Sequence, residues 1–363
     1  MRVIRIQLRD FRNYERAEVE LGDGLTVAWG PNGAGKTNLL EAVYFACTAR
    51  SCRTANEREL VRFGQSVARV TLETEGEDGR HLVEVGLEPG QPKRIRVDGA
   101  SVDRLAGVPA RPLVAVFLPD RLDLVKGPPA GRRAHLDQLV AALWPARTTD
   151  RSAYALALAQ RNALLARVRA GAAAPGQLDA WDAELARHGL ALMEARASAV
   201  GLLTEPFAAL ADDLGLPEAA GIEYRPRSRA SDAAELCAEL AERREADLAR
   251  GFSDHGPHRD DVALLHGGRQ LRAYGSQGQQ RLAPLALLFA ERQVLLDERG
   301  TPPLMLLDDV MSELDSGRRR RLVDLVRSSG QALVTTTDRE HVPGAGDEGV
   351  VTVAVEAAGP VRA

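Results

Sequence analysis

Eight consecutive residues, Gly30-Pro31-Asn32-Gly33-Ala34-Gly35-Lys36-Thr37, carry the spacing GxxxxGK[ST] between an apolar run and a helical pattern. Glycines at this spacing let the backbone curl until its N–H groups converge, an arrangement that suits phosphate oxygens. A helix beginning near Lys36 adds the positive end of its dipole. In such a loop the Lys36 ammonium bridges the β- and γ-phosphates of ATP, and the Thr37 hydroxyl holds Mg²⁺. A second constellation complements the first: the apolar run Leu304-Met305-Leu306-Leu307 ends in Asp308-Asp309. Two carboxylates at a strand end beside a phosphate loop have distinct tasks. Asp308 is expected to reach Mg²⁺, directly or through water, and Asp309 to polarise the attacking water. ATP and Mg²⁺ are the cofactors this chemistry calls for.

These residues need strands and helices to hold them. Val3 to Leu8, Ala17 to Leu21 and Leu25 to Trp29 alternate or run apolar, and Asn38 to Ala49 has helical apolar spacing. Val67 to Thr74, His81 to Leu87 and Arg94 to Val97 read as strands separated by Gly, Asp and Pro turns. From about residue 148 to 250 the texture becomes Ala, Leu, Arg and Glu with helical periodicity, broken at Gly171 to Gly176 and Leu214 to Gly221. A Gly-rich stretch, Gly251 to Gly278, is expected to return the chain to the first domain. Helix 279–298, strand 304–307, a helix near 316–328 and strand 331–336 complete an α/β pattern. The expected organisation is a head built from 1–147 and 251–363 with a helical arm, 148–250, inserted into it.

Composition narrows the setting. The 363 residues are 45% hydrophobic and 27% charged, and no apolar run approaches the ~20 residues of a membrane span. The opening residues alternate like a strand and lack a signal peptide's apolar core. Cys47, Cys52 and Cys237 have neither CxxC spacing nor paired histidines, which suits a reducing, cytoplasmic setting without structural zinc. The net charge of −4 provides no global field for a polyanion, so any nucleic-acid contact must use a local patch. Only three of the 47 basic residues are lysines: Lys36, Lys93 and Lys126.

Tyr274-Gly275-Ser276-Gln277-Gly278-Gln279-Gln280-Arg281 resembles the ABC signature, which binds the γ-phosphate of ATP held by another subunit. Ser276 is also a suitable helix N-cap, so a cap without further role is the competing reading. Ser312-Glu313-Leu314-Asp315 resembles the ABC D-loop, and Thr337, in Thr335-Thr336-Thr337-Asp338, stands at the switch position.

With these, a family resemblance runs over nearly the whole chain. Leu8-Arg9-Asp10-Phe11-Arg12-Asn13-Tyr14, Ser51-Cys52-Arg53-Thr54, Leu124-Val125-Lys126-Gly127-Pro128, Gln160-Arg161-Asn162-Ala163-Leu164 and Gly256-Pro257-His258-Arg259-Asp260-Asp261 resemble the RecF family, SMC-like ABC-type ATPases of bacterial recombination. The resemblance implies an ABC-type head with a helical arm and an ATP-dependent homodimer with Ser276, Gln277, Gly278 and Gln279 acting in trans. It further implies slow hydrolysis, binding to single-stranded, gapped or junction DNA, and work with RecR and RecO. Recombinase loading in repair, replication and the SOS response would be the role. Cys52 stands where such proteins often have His, and Pro284 interrupts the helix after the signature.

Alternatives remain at this stage. A transporter ATPase subunit would share the P-loop but not the long helical insertion or the Asp-Asp pair. A structural SMC-type head without appreciable turnover is a third reading, although the arm is far too short for a long coiled coil. His258 to Asp261 reads as a hydrogen-bonded turn or as acid–base chemistry, and Arg318-Arg319-Arg320-Arg321 as an exposed helix start or a phosphate contact.

Overall fold

The computed structural model describes residues 1–356 except 106, 217 and 329, with backbone only at 120, 121 and 313. The chain begins with β1 (Arg2–Phe11), β2 (Tyr14–Glu20), β3 (Leu25–Trp29) and α1 (Lys36–Thr48). Strands β4 (Ala68–Gly76), β5 (Gly79–Leu87), β6 (Arg94–Val97), β7 (Ala100–Val102) and β8 (Val114–Phe117) follow. Next come α2 (Asp123–Lys126), α3 (Pro129–Leu143), α4 (Thr148–Arg169), α5 (Leu178–Asp213), β9 (Ala220–Arg225), α6 (Ala233–Glu242) and α7 (Arg244–Arg250). Then β10 (Asp261–His266), β11 (Arg269–Gln270), α8 (Leu271–Tyr274) and α9 (Gln277–Arg299) lead to β12 (Leu304–Asp308), α10 (Ser316–Arg327), β13 (Ala332–Thr336) and β14 (Val351–Ala354).

These elements form two compact units. The first comprises Met1–Arg121, Asp213–Gly215 and the residues from Leu295. It contains an antiparallel sheet of order β2-β1-β4-β5-β6-β7 and a parallel sheet of order β14-β3-β13-β12-β8. Strands β12 and β13 are buried along their whole length, which is why they read as unbroken apolar runs. The antiparallel strands alternate instead: Ile6 and Leu8 of β1 turn inward, Gln7 and Arg9 outward. Leu39, Leu40, Val43 and Phe45 of α1 share one core with Ile6, Leu8 and Phe11 and with Leu306 and Leu333 of the parallel sheet. That core fixes the start of α1, and so the phosphate loop, against the ends of β3, β12 and β13.

The second unit comprises Leu122–Asp212 and Leu216–Val294, and is therefore broader than the 148–250 segment expected. The difference has a structural cause. β9, inside the stretch read as helical, pairs antiparallel with β10 from the Gly-rich stretch, from Asp261 opposite Arg225 to His266 opposite Ala220. Residues 251–278 thus pack in this unit and not in the first. Helix α3 belongs here too, tied to β10 by Arg132, whose Nε and Nη2 lie 2.7 and 2.9 Å from the Asp261 carboxylate. Two buried arginines organise the interior. Arg161, fully buried on α4, donates to Asp182, Asp247 and Ser253, and Arg196 on α5 donates to Asp137 and Asp260. Pro284 lies inside α9 without ending it. Among the described residues no helix is long and apolar enough to cross a membrane.

Candidate functional site

The phosphate loop joins the end of β3 to the start of α1, and sterics dictate its glycines. Gly30 has φ +156°, and a Cβ there would lie 2.2 Å from the Val355 carbonyl oxygen. Gly35 has φ +117°, and a Cβ there would lie within 3 Å of the Asn13 and Tyr14 side chains. Neither position admits a side chain. The turn between β1 and β2 holds the loop from outside: Asn13 Nδ2 donates to Ala34 O and the Tyr14 hydroxyl to Gly35 O, each at 3.0 Å. Pro31, Asn32 and Gly33 face solvent, while Ala34, Gly35 and Lys36 are buried. Lys36 Nζ donates to Gly30 O at 2.8 Å and Pro31 O at 2.9 Å, so its ammonium lies over the loop. Burial draws that ammonium's pKa below the ordinary lysine value, and the charges of Asp309 and Asp308 oppose the shift.

The acidic pair meets the loop as its spacing predicts. Thr37 Oγ1 donates toward the Asp308 carboxylate, 2.9 and 3.0 Å from its two oxygens. A third residue, which the sequence reading overlooked, completes the arrangement. Thr335 pairs with Asp308 in the parallel register of β12 and β13, and its hydroxyl donates to Asp308 Oδ1 at 2.6 Å. The same hydroxyl accepts from the Asp309 N–H at 3.0 Å, while Thr335 O accepts from that N–H at 3.1 Å. Burial pushes the Asp308 carboxyl above its ordinary pKa; hydrogen bonds from Thr335 and Thr37 counter this, and the charge of Asp309 adds to it. The signal for Thr335 was its place at the end of the neighbouring strand, in a triple-threonine run of which only Thr337 was singled out. Thr337 itself follows β13, two residues beyond the contact with Asp308.

Asp309 leaves the strand in the left-handed conformation, φ 46° and ψ 29°. Its Oδ1 is buried and has no hydrogen-bond partner among the described residues. A buried carboxylate oxygen left unpaired is costly in a purely structural setting. Thr37 Oγ1, Asp308 and Asp309 present hard oxygen donors of the type Mg²⁺ takes. Among the described residues no group of three or more His, Cys, Asp or Glu forms a metal cage, so a Mg²⁺ held here would also need phosphate and water oxygens.

The signature loop belongs to the second unit. Ser276 N donates to Gln279 Oε1 at 2.7 Å and Gln279 N to Ser276 Oγ at 3.3 Å, a reciprocal capping box at the start of α9. Gln280 is buried and donates from Nε2 to Leu271 O and Arg272 O, fixing α8 beside the loop. A Cβ at Gly275 would lie 2.6 Å from a Leu271 methyl carbon, so this glycine permits the close turn. Ser276, Gln277 and Gly278 remain exposed. The cap reading and the ligand reading are therefore compatible: the box preforms a helix N-terminus that faces outward.

The remaining expected residues have structural partners. The Ser312 hydroxyl donates to Asp309 O at 2.8 Å, and Asp315 caps α10 by accepting from Arg318 N at 2.9 Å. Within the arginine run, Arg318 donates to Gly215 O, Arg319 to Met311 O and Arg321 to Asp213 O; Arg320 is exposed. His258 to Asp261 is a hydrogen-bonded node. His258 contacts the Tyr154 hydroxyl and Ser253 O, and Asp260 receives bonds from Arg196, Tyr224 and Arg227 N. The thiols of Cys47 and Cys52 are each pushed up to about 12 by burial, which leaves them inert.

A strand, a phosphate loop, a helix and a strand-end acid pair on a parallel sheet, beside an antiparallel one, define an ABC-type P-loop ATPase head. The family described as RecF/RecN/SMC N terminal domain matches residues 2–359. The chain is 38% identical over 358 residues to the DNA replication and repair protein RecF of Streptomyces avermitilis, covering 95% of both chains. It is 39% identical over 363 residues to the RecF protein of Acidothermus cellulolyticus, covering 94% of this chain and 96% of the other. The chain belongs to the RecF family. A solved structure of the recombination mediator protein RecF–ATPrS in the RecFOR pathway superposes with a TM-score of 0.89 at 27% identity, over 99% of this chain and 97% of that one.

Proposed function

We propose that this chain is an ATP-dependent, DNA-binding recombination mediator that dimerises around ATP. The observation that carries the reading is the five-residue set Lys36, Thr37, Asp308, Asp309 and Thr335, with one buried Asp309 oxygen left unpaired. Backbone N–H groups of the loop between Asn32 and Thr37 and the Lys36 ammonium bind the β- and γ-phosphates. Thr37 and Asp308 would hold Mg²⁺, which supplies charge neutralisation on the phosphates when bound. Asp309 Oδ1 orients the attacking water, and Thr335 holds the Asp308 carboxylate and the Asp309 backbone in place. Ser276 to Gln279 of one copy would cap the γ-phosphate bound by the other, with Ser312 and Asp315 at the same interface and Thr337 as the switch.

In this reading the chain binds ATP through the first unit, which carries the phosphate loop and the acid pair. Its DNA ligand is single-stranded, gapped or junction DNA, its partners are RecR and RecO, and its setting is cytoplasmic repair, replication and the SOS response. Support comes from the 38–39% identity to replication and repair proteins named RecF. The test is light scattering with and without ATP and Mg²⁺ for the parent and Ser276→Arg. The parent should dimerise only with ATP, and the variant should bind ATP yet stay monomeric. A variant that dimerises like the parent leaves Ser276 as a helix cap and overturns the trans assignment.

A further inference from the structure

On the outward face of the antiparallel sheet, strand register sets arginines in a line. Arg9 on β1 has Arg16 of β2 and Arg69 of β4 as its Cα partners. Arg69 pairs with Gly86 of β5, and Gly86 with Arg94 of β6. All four arginines are exposed, and Arg9, Arg16 and Arg69 line one shallow cleft with Gln7 and Thr71. Neighbouring strands lie about 4.8 Å apart, so Arg16 to Arg69 covers about 10 Å and Arg94 extends the line to about 19 Å.

Pairing elsewhere on this face makes the line distinctive. Arg2 is paired with Glu75, Arg5 with Glu73 and Glu18, Arg62 with Asp10 and Glu15, and Arg80 with Glu73 and Glu75. The acids bordering the cleft are thereby engaged by other arginines, apart from Glu84, which sits one register step away between Thr71 and Arg96. The side chains of Arg9, Arg16, Arg69 and Arg94 have no hydrogen bond or ion pair among the described residues. Like charges directly opposite one another on adjacent strands are destabilising. Three consecutive arginines in cross-strand register therefore oppose folding unless an anion compensates them.

We propose that the line Arg16–Arg9–Arg69, extended by Arg94, is a binding site for the phosphodiester backbone of DNA. A row of unpaired guanidinium groups offers repeated contacts to a chain of phosphates. The line holds no large apolar side chain to anchor the core of a protein interface, which favours nucleic acid over an acidic protein partner. The inference rests on the DNA-binding reading above and adds the surface that DNA occupies.

Fluorescence anisotropy of gapped DNA with ATP and Mg²⁺, across salt from about 50 to 200 mM, tests it. The variant is Arg9→Gln/Arg16→Gln/Arg69→Gln. Each lost duplex phosphate contact flattens the log affinity against log salt slope by about 0.9, or about 2.7 for three. Over that salt range the parent should lose about fortyfold more affinity than the variant. ATP binding should be unchanged, and the melting temperature unchanged or higher, because the opposed charges are gone. The single change Arg9→Gln should flatten the slope by about 0.9, and the triple Lys variant should keep the parent slope. A control with Arg80, Arg187 and Arg225 changed to Gln removes equal charge from residues already ion-paired, and should leave the slope intact. A parent that binds DNA alongside a triple Gln variant of equal slope overturns this site, as would equal flattening in the control. The former result is also what an acidic protein ligand for this face would give. A parent that binds no DNA overturns the underlying reading instead.

Discussion

Thr335→Val is the most informative single change, because it removes one oxygen atom from a fully buried position. The hydroxyl donates to Asp308 Oδ1 at 2.6 Å and accepts from the Asp309 N–H at 3.0 Å. Val fills the same space, so cavity effects are small and the loss is electrostatic. The Asp309 N–H keeps Thr335 O at 3.1 Å, so the backbone turn survives. Asp308 loses one of its two hydroxyl partners, since Thr37 remains. A hydrogen bond to a charged group contributes about 1.5–3 kcal/mol. If that energy orients Asp308 in the transition state, turnover falls by about 10- to 150-fold at about 1.4 kcal/mol per decade. The assay is steady-state ATP hydrolysis at saturating Mg²⁺-ATP, with thermal unfolding and ATP affinity measured on the same samples. Thr335→Ser retains the hydroxyl and should stay within a few-fold of the parent. A Thr335→Val protein with parental turnover would refute the role given to this contact.

Two further changes address the same site. Lys36→Ala removes the buried ammonium over the loop and should weaken ATP binding at least tenfold, read with a fluorescent ATP analogue, with circular dichroism unchanged; near-parental affinity would contradict the loop's assignment. Asp309→Asn keeps the shape and left-handed backbone while losing the carboxylate, so ATP should still bind while turnover falls roughly a hundredfold or more and the ATP dimer persists; parental hydrolysis would place the water-orienting group elsewhere.

What the sequence made legible was local. The phosphate loop announces itself because glycine spacing, lysine and threonine lie within eight residues. The acid pair is visible because a fully buried parallel strand must read as an apolar run. Contacts that depend on which strands become neighbours were not legible. Thr335 is 27 residues from Asp308, and only the parallel pairing of β12 and β13 brings them together. The same holds for Asn13 and Tyr14, whose support of Ala34 and Gly35 arises from packing between the β1–β2 turn and the loop. β9 escaped notice because a six-residue strand between long helices carries too little periodicity to stand out, and its partner β10 lies some forty residues on.

The arginines make the same point about charge. A net charge of −4 suggests no affinity for a polyanion, yet net charge counts paired and unpaired groups alike. Arg161 and Arg196 are buried against aspartates, where they neutralise one another and contribute nothing to the field outside. In the run that looked most basic, Arg318, Arg319 and Arg321 donate to main-chain carbonyls of their own unit. Arg319 is therefore less free to meet a phosphate than its sequence neighbourhood suggests, while Arg320 and Arg321 are the exposed members of that run. Four arginines with free guanidinium groups, at 9, 16, 69 and 94, lie far apart in the sequence where no basic motif exists, and only strand register gathers them. Counterion release depends on local phosphate contacts, so the salt slope should follow these unpaired arginines and not the total charge.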